Sequence, residues 1–515
     1  MSLSECYKQV LMNWFKEEES KRRFLDKIVE TMEHNWRKNI FVIEAPTGYG
    51  KSTISATVSL FSLKSDNSLK CIIAFPLRTL LEDQYSKFVG QKRKCEESKN
   101  GKSFLGDLEE KQIKKIVGKR YMHNPDSRYL IKPITLTTVD TLALTLFGIP
   151  PECLDRVVKA WDGTIGGSMG HYLFSWGSVV SSNIVLDEVH LLADSTKSLG
   201  FLMALMKIAA DFDQKLILMS ATIPDALKSI LLNNEYFSGD EVEFIGFTVE
   251  DDPDFCRDRE EKEYDVIFEE VDEKDKFNRI ESWIRENSQF SRVIVVFNTA
   301  GDAIKFYDRI CNETNNLKKG FSKVILIHGR FSEADRERKI DEIECLKSSS
   351  GSPQTHGNES LRDYLIISTQ VIEAGVDISS NLFITEVAPA SSLIQRLGRF
   401  LRYSTEEGDD RGRAIIWYEK EEEGEEQLKY KVYDRELVEK TIKWLKDNSE
   451  ERDNKYYVKL NVHLPETRDS GRKGYKDLLN YVYESDAFET GKIGELIRDF
   501  EGIFLHLENA SLIAV

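Results

Sequence analysis

None of the seven cysteines, Cys6, Cys71, Cys95, Cys153, Cys256, Cys311 and Cys345, stands in a Cys-x-x-Cys pair. That scatter excludes a zinc ribbon, and the odd count fits a reducing compartment better than a disulfide framework. No apolar run approaches the roughly eighteen residues that a membrane-spanning helix needs, and no charged start leads into a shorter one. A soluble, cytoplasmic chain with no membrane partner is therefore expected. An excess of positive charge is also missing, since the formal net charge is −17. This argues against coating nucleic acid through bulk charge, although a local basic groove is still compatible with it. The chain does have apolar residues, 41% of 515, enough to fill the two or three cores that its length calls for.

The rest is organised around Glu44-Ala45-Pro46-Thr47-Gly48-Tyr49-Gly50-Lys51-Ser52. Ile40-Phe41-Val42-Ile43 before it suits a buried parallel strand, and Thr53 to Leu63 after it is long enough for a helix. Strand, glycine-bearing turn and helix in that order make a phosphate loop. Gly48 and Gly50 let the backbone curl so that successive N–H groups face a phosphate, helped by the helix N-terminus. The loop, Pro46 to Ser52, would bind ATP: Lys51 would reach the β- and γ-phosphates, and Ser52 would hold Mg²⁺. The first position of the pattern is Ala45 rather than glycine.

Further buried runs follow, each delivering polar residues at its end. Cys71 to Phe75 is followed by a helix from Leu77. Thr135 to Leu142 is dense in hydroxyls, Thr137 and Thr138 among them, which suits phosphate oxygens. Asn183 to Leu186 delivers Asp187-Glu188-Val189-His190, and Leu216 to Met219 delivers Ser220-Ala221-Thr222. Ligands of open α/β sheets bind at those carboxyl ends. Between them, residues 91–132 carry twelve Lys or Arg against six Asp or Glu, with Phe104, Tyr121 and Tyr129 interleaved. Such a stretch could track a nucleic-acid strand, or be the solvated face of an ion-rich protein. The Gly- and aromatic-rich residues 162–182 read as an inserted loop.

We expect a helical lead-in over residues 1–38, a doubly wound α/β domain over 39–238 and an acidic linker over 239–262. A second βα series without its own phosphate loop follows over 263–420, then a small, mainly helical accessory domain over 421–515. Within the second series, residues 348–360 read as a surface loop, and acidic clusters at 406–410 and 421–426 as solvated loops.

ATP hydrolysis needs a positioned water, a base beside it, a metal bridging phosphate oxygens and cations on the transferring group. Asp187 is placed to support Mg²⁺ with Ser52, and Glu188 to orient or deprotonate the water. The cations lie in Gln395-Arg396-Leu397-Gly398-Arg399-Phe400-Leu401-Arg402, where the spacing puts Arg399 and Arg402 on one helical face. The run from Ser368 to Asp377 adds hydroxyls, the turn glycine Gly375 and the acid Asp377. Together these describe an ATP site split between two domains.

In this order and spacing the motifs resemble those of superfamily 2 helicases: Ala45–Ser52, Phe75–Gln84, Asp187–His190, Ser220–Thr222, Ser368–Asp377 and Gln395–Arg402. More narrowly, Ile327-His328-Gly329-Arg330-Phe331 with Asp335-Arg336, the run Thr369 to Ile378 and Ala388-Pro389 resemble the CRISPR-associated helicases of type I interference systems. The resemblance implies two RecA-like doubly wound parallel-sheet domains in tandem. It also implies 3′-to-5′ movement on single-stranded DNA after recruitment by the CRISPR RNA-guided surveillance complex to an R-loop. By the same resemblance His190, Ser220 and Thr222 couple the γ-phosphate to domain movement, Gln395 belongs to the catalytic set, and Gly375 and Asp377 contact nucleotide. Arg78, Thr137, Thr138, Asn298, Arg330, Thr369 and Gln370 would contact nucleic acid. Many members of that family fuse an N-terminal nuclease with a His-Asp metal dipeptide. No His-Asp occurs in this sequence, so the nuclease is expected on a separate HD-type subunit. Two other readings stay open: a superfamily 2 helicase of DNA repair or RNA processing, and an ATP-gated nucleic-acid clamp that does not unwind.

Overall fold

The computed structural model describes the chain except for residues 18–21, 66–67, 91–102, 107, 123, 150, 152–169, 193–195, 233–238, 313–316, 349–354, 357–358, 361, 374, 404–409, 421–431, 453–454, 468–470, 485–487, 489–493, 500–501 and 503–515. The start of the basic stretch, the first half of the Gly- and aromatic-rich segment, most of 348–360 and both acidic clusters apart from Asp410 lie outside the described residues. The chain divides into two compact units that meet in sequence between Asp252 and Pro253.

In the first unit seven strands form one parallel sheet: β1 (Ile40–Glu44), β2 (Lys70–Phe75), β3 (Val117–Arg120), β4 (Ile134–Thr138), β5 (Ser182–Leu186), β6 (Leu216–Ser220) and β7 (Val242–Gly246). Their order is β3-β4-β2-β5-β6-β1-β7. β1 lies between β6 and β7, with Ile40 opposite both Leu216 and Val242. The near-continuous apolar runs of β1, β5 and β6 follow from being covered on both faces. Four helices matter for the site: α1 (Leu3–Phe15), α2 (Arg23–His34), α3 (Lys51–Lys64) and α4 (Arg78–Val89). α1 begins in a capping box between Ser2 and Glu5 and packs on α3. Although rich in Ser and Thr, α3 is buried on nearly every side, because Thr57, Ser59 and Ser62 bond back to the carbonyls of Thr53, Ser55 and Val58.

The second unit holds an eight-stranded sheet in the order β10-β13-β9-β14-β15-β8-β17-β16. Its strands are β8 (Glu263–Val271), β9 (Arg292–Val296), β10 (Phe321–Ile327), β13 (Arg362–Ser368), β14 (Leu382–Glu386), β15 (Arg411–Glu419), β16 (Ser449–Arg452) and β17 (Lys455–Val458). A two-residue ribbon, β11 (Thr355–His356) with β12 (Glu359–Ser360), precedes β13, and β18 (Leu460–Asn461) pairs with β19 (Lys473–Gly474). All pairings among β8, β9, β10, β13, β14 and β15 are parallel, and β17 and β16 add an antiparallel edge. Trp283, Phe297, Phe306 and Trp417 centre the core on one face of this sheet. Each unit is thus a doubly wound α/β layer structure.

Three boundaries differ from the sequence reading. The expected linker supplies β7 to the first sheet and then the helix Pro253–Glu260 to the second unit. An edge strand pairs along one side only, and Val242 and Ile245, on opposite faces of β7, are its two buried residues among acidic neighbours. The expected accessory domain up to Tyr483 belongs to the second unit, with β16 and β17 extending its sheet, while the described residues from 484 onward cluster with the first unit, where Leu496 lies against Gly200. Residues 170–180 of the expected loop form a helix. Among the described residues no helix is long and apolar enough to cross a membrane.

Candidate nucleotide site

β1 ends at Glu44 and α3 starts at Lys51, so the six residues between must reverse direction tightly. Gly48 and Gly50 do so at φ of 75° and 108°, values that a side chain disfavours. A Cβ on Gly50 would also stand 3.2 Å from Leu25 Cδ1. The backbone N–H groups of the loop and the first turn of α3 therefore form a cradle of the kind that binds phosphate. Pro46 is buried and its carbonyl accepts from Tyr49 N at 3.2 Å, closing the turn, while Thr47 is half-buried. Lys51 is buried, and its Nζ donates to Ala45 O at 3.2 Å. The Ser52 hydroxyl accepts from Gln84 Nε2 at 2.8 Å.

The Tyr49 side chain turns away from the cradle into the unit. Its hydroxyl donates to the Asp252 carboxylate and accepts from Phe24 N at 3.0 Å. Burial, then the Asp252 contact, pushes this phenol far above its usual range. Tyr49 can serve a nucleotide through its main chain only.

At the end of β5, Asp187 N donates to Ala74 O of the neighbouring strand at 3.1 Å, which carries the sheet one residue further. Glu188 then sits at φ 53°, a conformation that non-glycine residues rarely adopt and that gathers at functional sites. Its N–H donates to Asp187 Oδ1 at 3.0 Å. Burial, reinforced by Glu188, holds the Asp187 carboxyl well above the usual carboxylate range, while Lys51 pulls the other way. His190 is buried, with Nδ1 2.9 Å from Ser220 Oγ and 3.5 Å from Glu188 Oε2. Burial lowers its pKa to about 4, so the ring is neutral near pH 7. Thr222 N donates to the same Ser220 hydroxyl at 3.1 Å. Three buried side-chain atoms here have no hydrogen-bond partner: Glu188 Oε2, His190 Nε2 and Thr222 Oγ1. Buried polar atoms are ordinarily paired, so such a group marks where a polar ligand fits.

In the second unit Gly375 turns at φ 79°, and Asp377 Oδ1 lies 3.2 Å from Arg402 Nε. The helix Ala390–Leu397 stops at Gly398, so Arg399 and Arg402 do not share a helical face as their spacing suggested. They lie on the turn beyond it. Arg399 Nε and Nη2 donate to the Ile372 and Glu373 carbonyls, each at 3.0 Å. Gln395 Nε2, Arg399 Nη1 and Arg402 Nη1 are buried without partners.

Arg396, which the sequence reading passed over, is fully buried at a hub. Nε donates to Glu373 at 2.8 Å, Nη1 to Thr385 Oγ1 and Glu386 O, and Nη2 to Asn298 Oδ1 and the Tyr433 hydroxyl. Its partners are spread from 298 to 433, so no local pattern announces it.

Several expected nucleic-acid contacts turn inward. Thr137 is fully buried and donates to Arg120 O at 2.7 Å, and Thr138 donates to Thr141 Oγ1 at 3.0 Å. Asn298 is buried on Arg396 and on Val387 O. Thr369 is buried, and Gln370 donates to Asn298 O at 2.7 Å. Thr137, Asn298 and Gln370 thus satisfy main-chain carbonyls, Thr138 a neighbouring hydroxyl, and Thr369 is buried. Of the basic stretch, Phe104 and Tyr121 are core residues, which favours its reading as a solvated face. Arg78 stacks over Tyr121 at 4.3 Å, and Arg330 is exposed.

Residues 289–405 match a family described as the C-terminal part of the CRISPR-associated nuclease/helicase Cas3, and residues 26–146 match the DEAD/DEAH box helicases. A candidate CRISPR-associated nuclease/helicase Cas3 of Methanocaldococcus jannaschii is 27% identical over 424 residues, covering 80% of this chain and 50% of that protein. The chain thus spans about half the length of that relative. The crystal structure of T. fusca Cas3 with AMPPNP superimposes with a TM-score of 0.62 at 16% identity, covering 98% of this chain and 56% of that one. A chain of a CRISPR RNA-guided surveillance complex in a pre-nicking state does so with a TM-score of 0.55 at 15% identity, covering 95% and 54%.

Proposed function

We propose that this chain, whose residues 289–405 match the C-terminal part of the CRISPR-associated nuclease/helicase Cas3, is a helicase of that kind, an ATP-driven translocase that moves 3′-to-5′ on single-stranded DNA. It would unwind target DNA at an R-loop in type I CRISPR interference. The observation that carries the reading is the set of unpartnered buried atoms: Glu188, His190 and Thr222 in the first unit, Gln395, Arg399 and Arg402 in the second. All six belong to motif residues, and in the first unit a triphosphate with its attacking water would supply the polar partners that Glu188, His190 and Thr222 lack.

On this reading the cradle from Pro46 to Ser52 binds the β- and γ-phosphates, and Lys51 exchanges the Ala45 carbonyl for a phosphate oxygen. Ser52 and Asp187 are suited to hold Mg²⁺, which when bound neutralises phosphate oxygens. The buried Asp187 carboxyl, held high by burial, becomes the charged ligand such an ion favours. Glu188 orients the water and takes its proton. Arg399 and Arg402 offer Nη1 groups to the transferring phosphoryl, with Gln395 beside them, while Gly375 and Asp377 shape the turn from which they work. His190, Ser220 and Thr222 pass the loss of the γ-phosphate to the motion of the units. Arg78 and Arg330 retain the nucleic-acid role. Recruitment would be by the surveillance complex, and strand cutting would fall to a separate HD-type nuclease subunit.

The test is the steady-state ATPase rate with no polymer, single-stranded DNA, duplex DNA or single-stranded RNA, for wild type, Lys51→Ala and Glu188→Gln. Stimulation by single-stranded DNA that both substitutions remove is expected. Preference for RNA points to the RNA-processing helicases, and silence with every polymer to the gated clamp.

A further inference from the structure

The turn that carries Arg399 and Arg402 has no regular structure to hold it. Past Leu397 the main chain bridges to a neighbouring segment: Ser380 N donates to Arg399 O at 2.9 Å, Leu401 N to Ser380 O at 2.8 Å, and Arg402 N to Ser379 Oγ at 3.0 Å. Leu401 sits at φ 45°. A branched residue in that left-handed region persists only where its surroundings over-determine it.

Two buried cations lie under this point. Lys262 Nζ donates to Leu401 O, and Arg259 Nη1 donates to Arg402 O at 2.8 Å and to Leu401 O at 3.5 Å. Lys262 is 3% exposed and Arg259 8%. Both come from the mixed-charge run leading into β8. The next residue but one, Tyr264, packs edge-on against Phe400 at 5.6 Å and against His463 at 5.2 Å. Arg472 closes the far side, donating to Tyr264 O at 2.6 Å. A main-chain carbonyl can accept a buried cation only in the orientation that points at it, so these bonds select one conformation of the turn. The strained Leu401 is the residue whose carbonyl they share.

We propose that Arg259 and Lys262 are positioning residues for the arginine turn, fixing the Leu401 and Arg402 carbonyls so that the guanidinium group of Arg402 is presented in one geometry. The inference rests on the ATPase reading above. It gives the mixed-charge run after residue 257 a part in the reaction without contact with the nucleotide. Misplacement by about an ångström of a group that acts in the transition state costs roughly 100-fold in rate. Ground-state nucleotide binding through the phosphate loop would be left alone.

The experiment measures kcat and KM for ATP with single-stranded DNA on wild type, Arg402→Ala, Lys262→Met, Lys262→Arg, Arg259→Gln and the double variant Lys262→Met/Arg402→Ala. Expected are kcat values lowered roughly 10- to 100-fold in Lys262→Met and Arg259→Gln, with KM within about threefold of wild type. Lys262→Arg, which keeps a donor for Leu401 O, recovers most of the rate. On the Arg402→Ala background Lys262→Met costs little more, because the group it positions is gone. Arg259→Gln keeps the test alive if Lys262→Met does not fold. Wild-type kcat in Lys262→Met and Arg259→Gln beside a slowed Arg402→Ala overturns the inference and leaves the ATPase reading standing. A full extra loss in the double variant also overturns it, since it marks general damage. A wild-type rate in Arg402→Ala removes the arginine reading and this inference with it.

Discussion

His190 Nδ1 lies 2.9 Å from Ser220 Oγ, and the same hydroxyl accepts from Thr222 N at 3.1 Å. One small side chain thus joins the end of β6 to the turn that follows β5. Because His190 is neutral near pH 7, the link is an ordinary hydrogen bond. Removing it with Ser220→Ala costs about 1 kcal/mol, and tenfold in a rate or equilibrium corresponds to about 1.4 kcal/mol. In the coupling role proposed for this pair, Ser220→Ala should keep ATP hydrolysis within about threefold of wild type while strand displacement falls about tenfold. Parallel assays on a forked duplex decide it. Equal losses in both would place Ser220 in hydrolysis itself.

Tyr49 fastens the phosphate loop to two segments of its unit that are far apart in sequence. Its hydroxyl meets Phe24 N at the start of α2 and Asp252, the last residue before the second unit. Tyr49→Phe keeps the ring in place and removes both bonds, so a destabilisation of about 1–3 kcal/mol is expected. Asp252→Asn still offers an oxygen to the phenol and should cost less. Amide exchange at Phe24 is the specific readout. It should quicken in Tyr49→Phe and stay near wild type in Asp252→Asn, and unchanged exchange in both would remove the bond from any role in local stability.

The short motifs were readable because each directly follows a buried apolar strand, so strand pattern and chemistry confirm one another. Ile40 to Glu44 announces the cradle and Ser182 to Leu186 announces Asp187. Elements whose logic is tertiary were not readable. β7 hides in an acidic stretch because an edge strand needs few apolar residues, and β16 and β17 contribute polar antiparallel edges of the same kind. Gly398 ends a helix that the periodicity of its neighbours would continue. Thr137 and Asn298 look like ligand contacts because sequence gives their chemistry and position but not the direction of the side chain. The Leu401 turn and its two cations are separated by some 140 residues, and only the fold brings them together.

Arg396 and Arg402 differ in role although they stand six residues apart. Arg396 makes five hydrogen bonds from a fully buried guanidinium, whereas Arg402 pairs with the more exposed Asp377. A lysine offers three donors from one point and cannot copy the fork. Arg396→Lys should therefore cost about 3–5 kcal/mol, as expected for a broken buried pair. Arg402→Lys should change stability by no more than about 1 kcal/mol. Thermal denaturation compares them, and similar midpoints for the two variants would contradict the hub.

Lys70 gives the chain a pH dependence of stability. It is buried at the start of β2, where its Nζ donates to Leu130 O and Ser178 Oγ without a carboxylate nearby to offset burial. Burial lowers its pKa from 10.5 to about 7. Between those values the unfolded chain holds a proton that the folded chain has released, so this group makes stability rise with pH across that window and contributes no slope below it. Between pH 7 and 9 the gain should be about 1–3 kcal/mol. Lys70→Met removes the titrating group and with it that gain. Measured side by side, the variant should be the more stable near pH 7 relative to wild type, and its advantage should shrink steadily toward pH 9. An advantage that stays constant over this range would mean that Lys70 keeps its proton when the chain is folded.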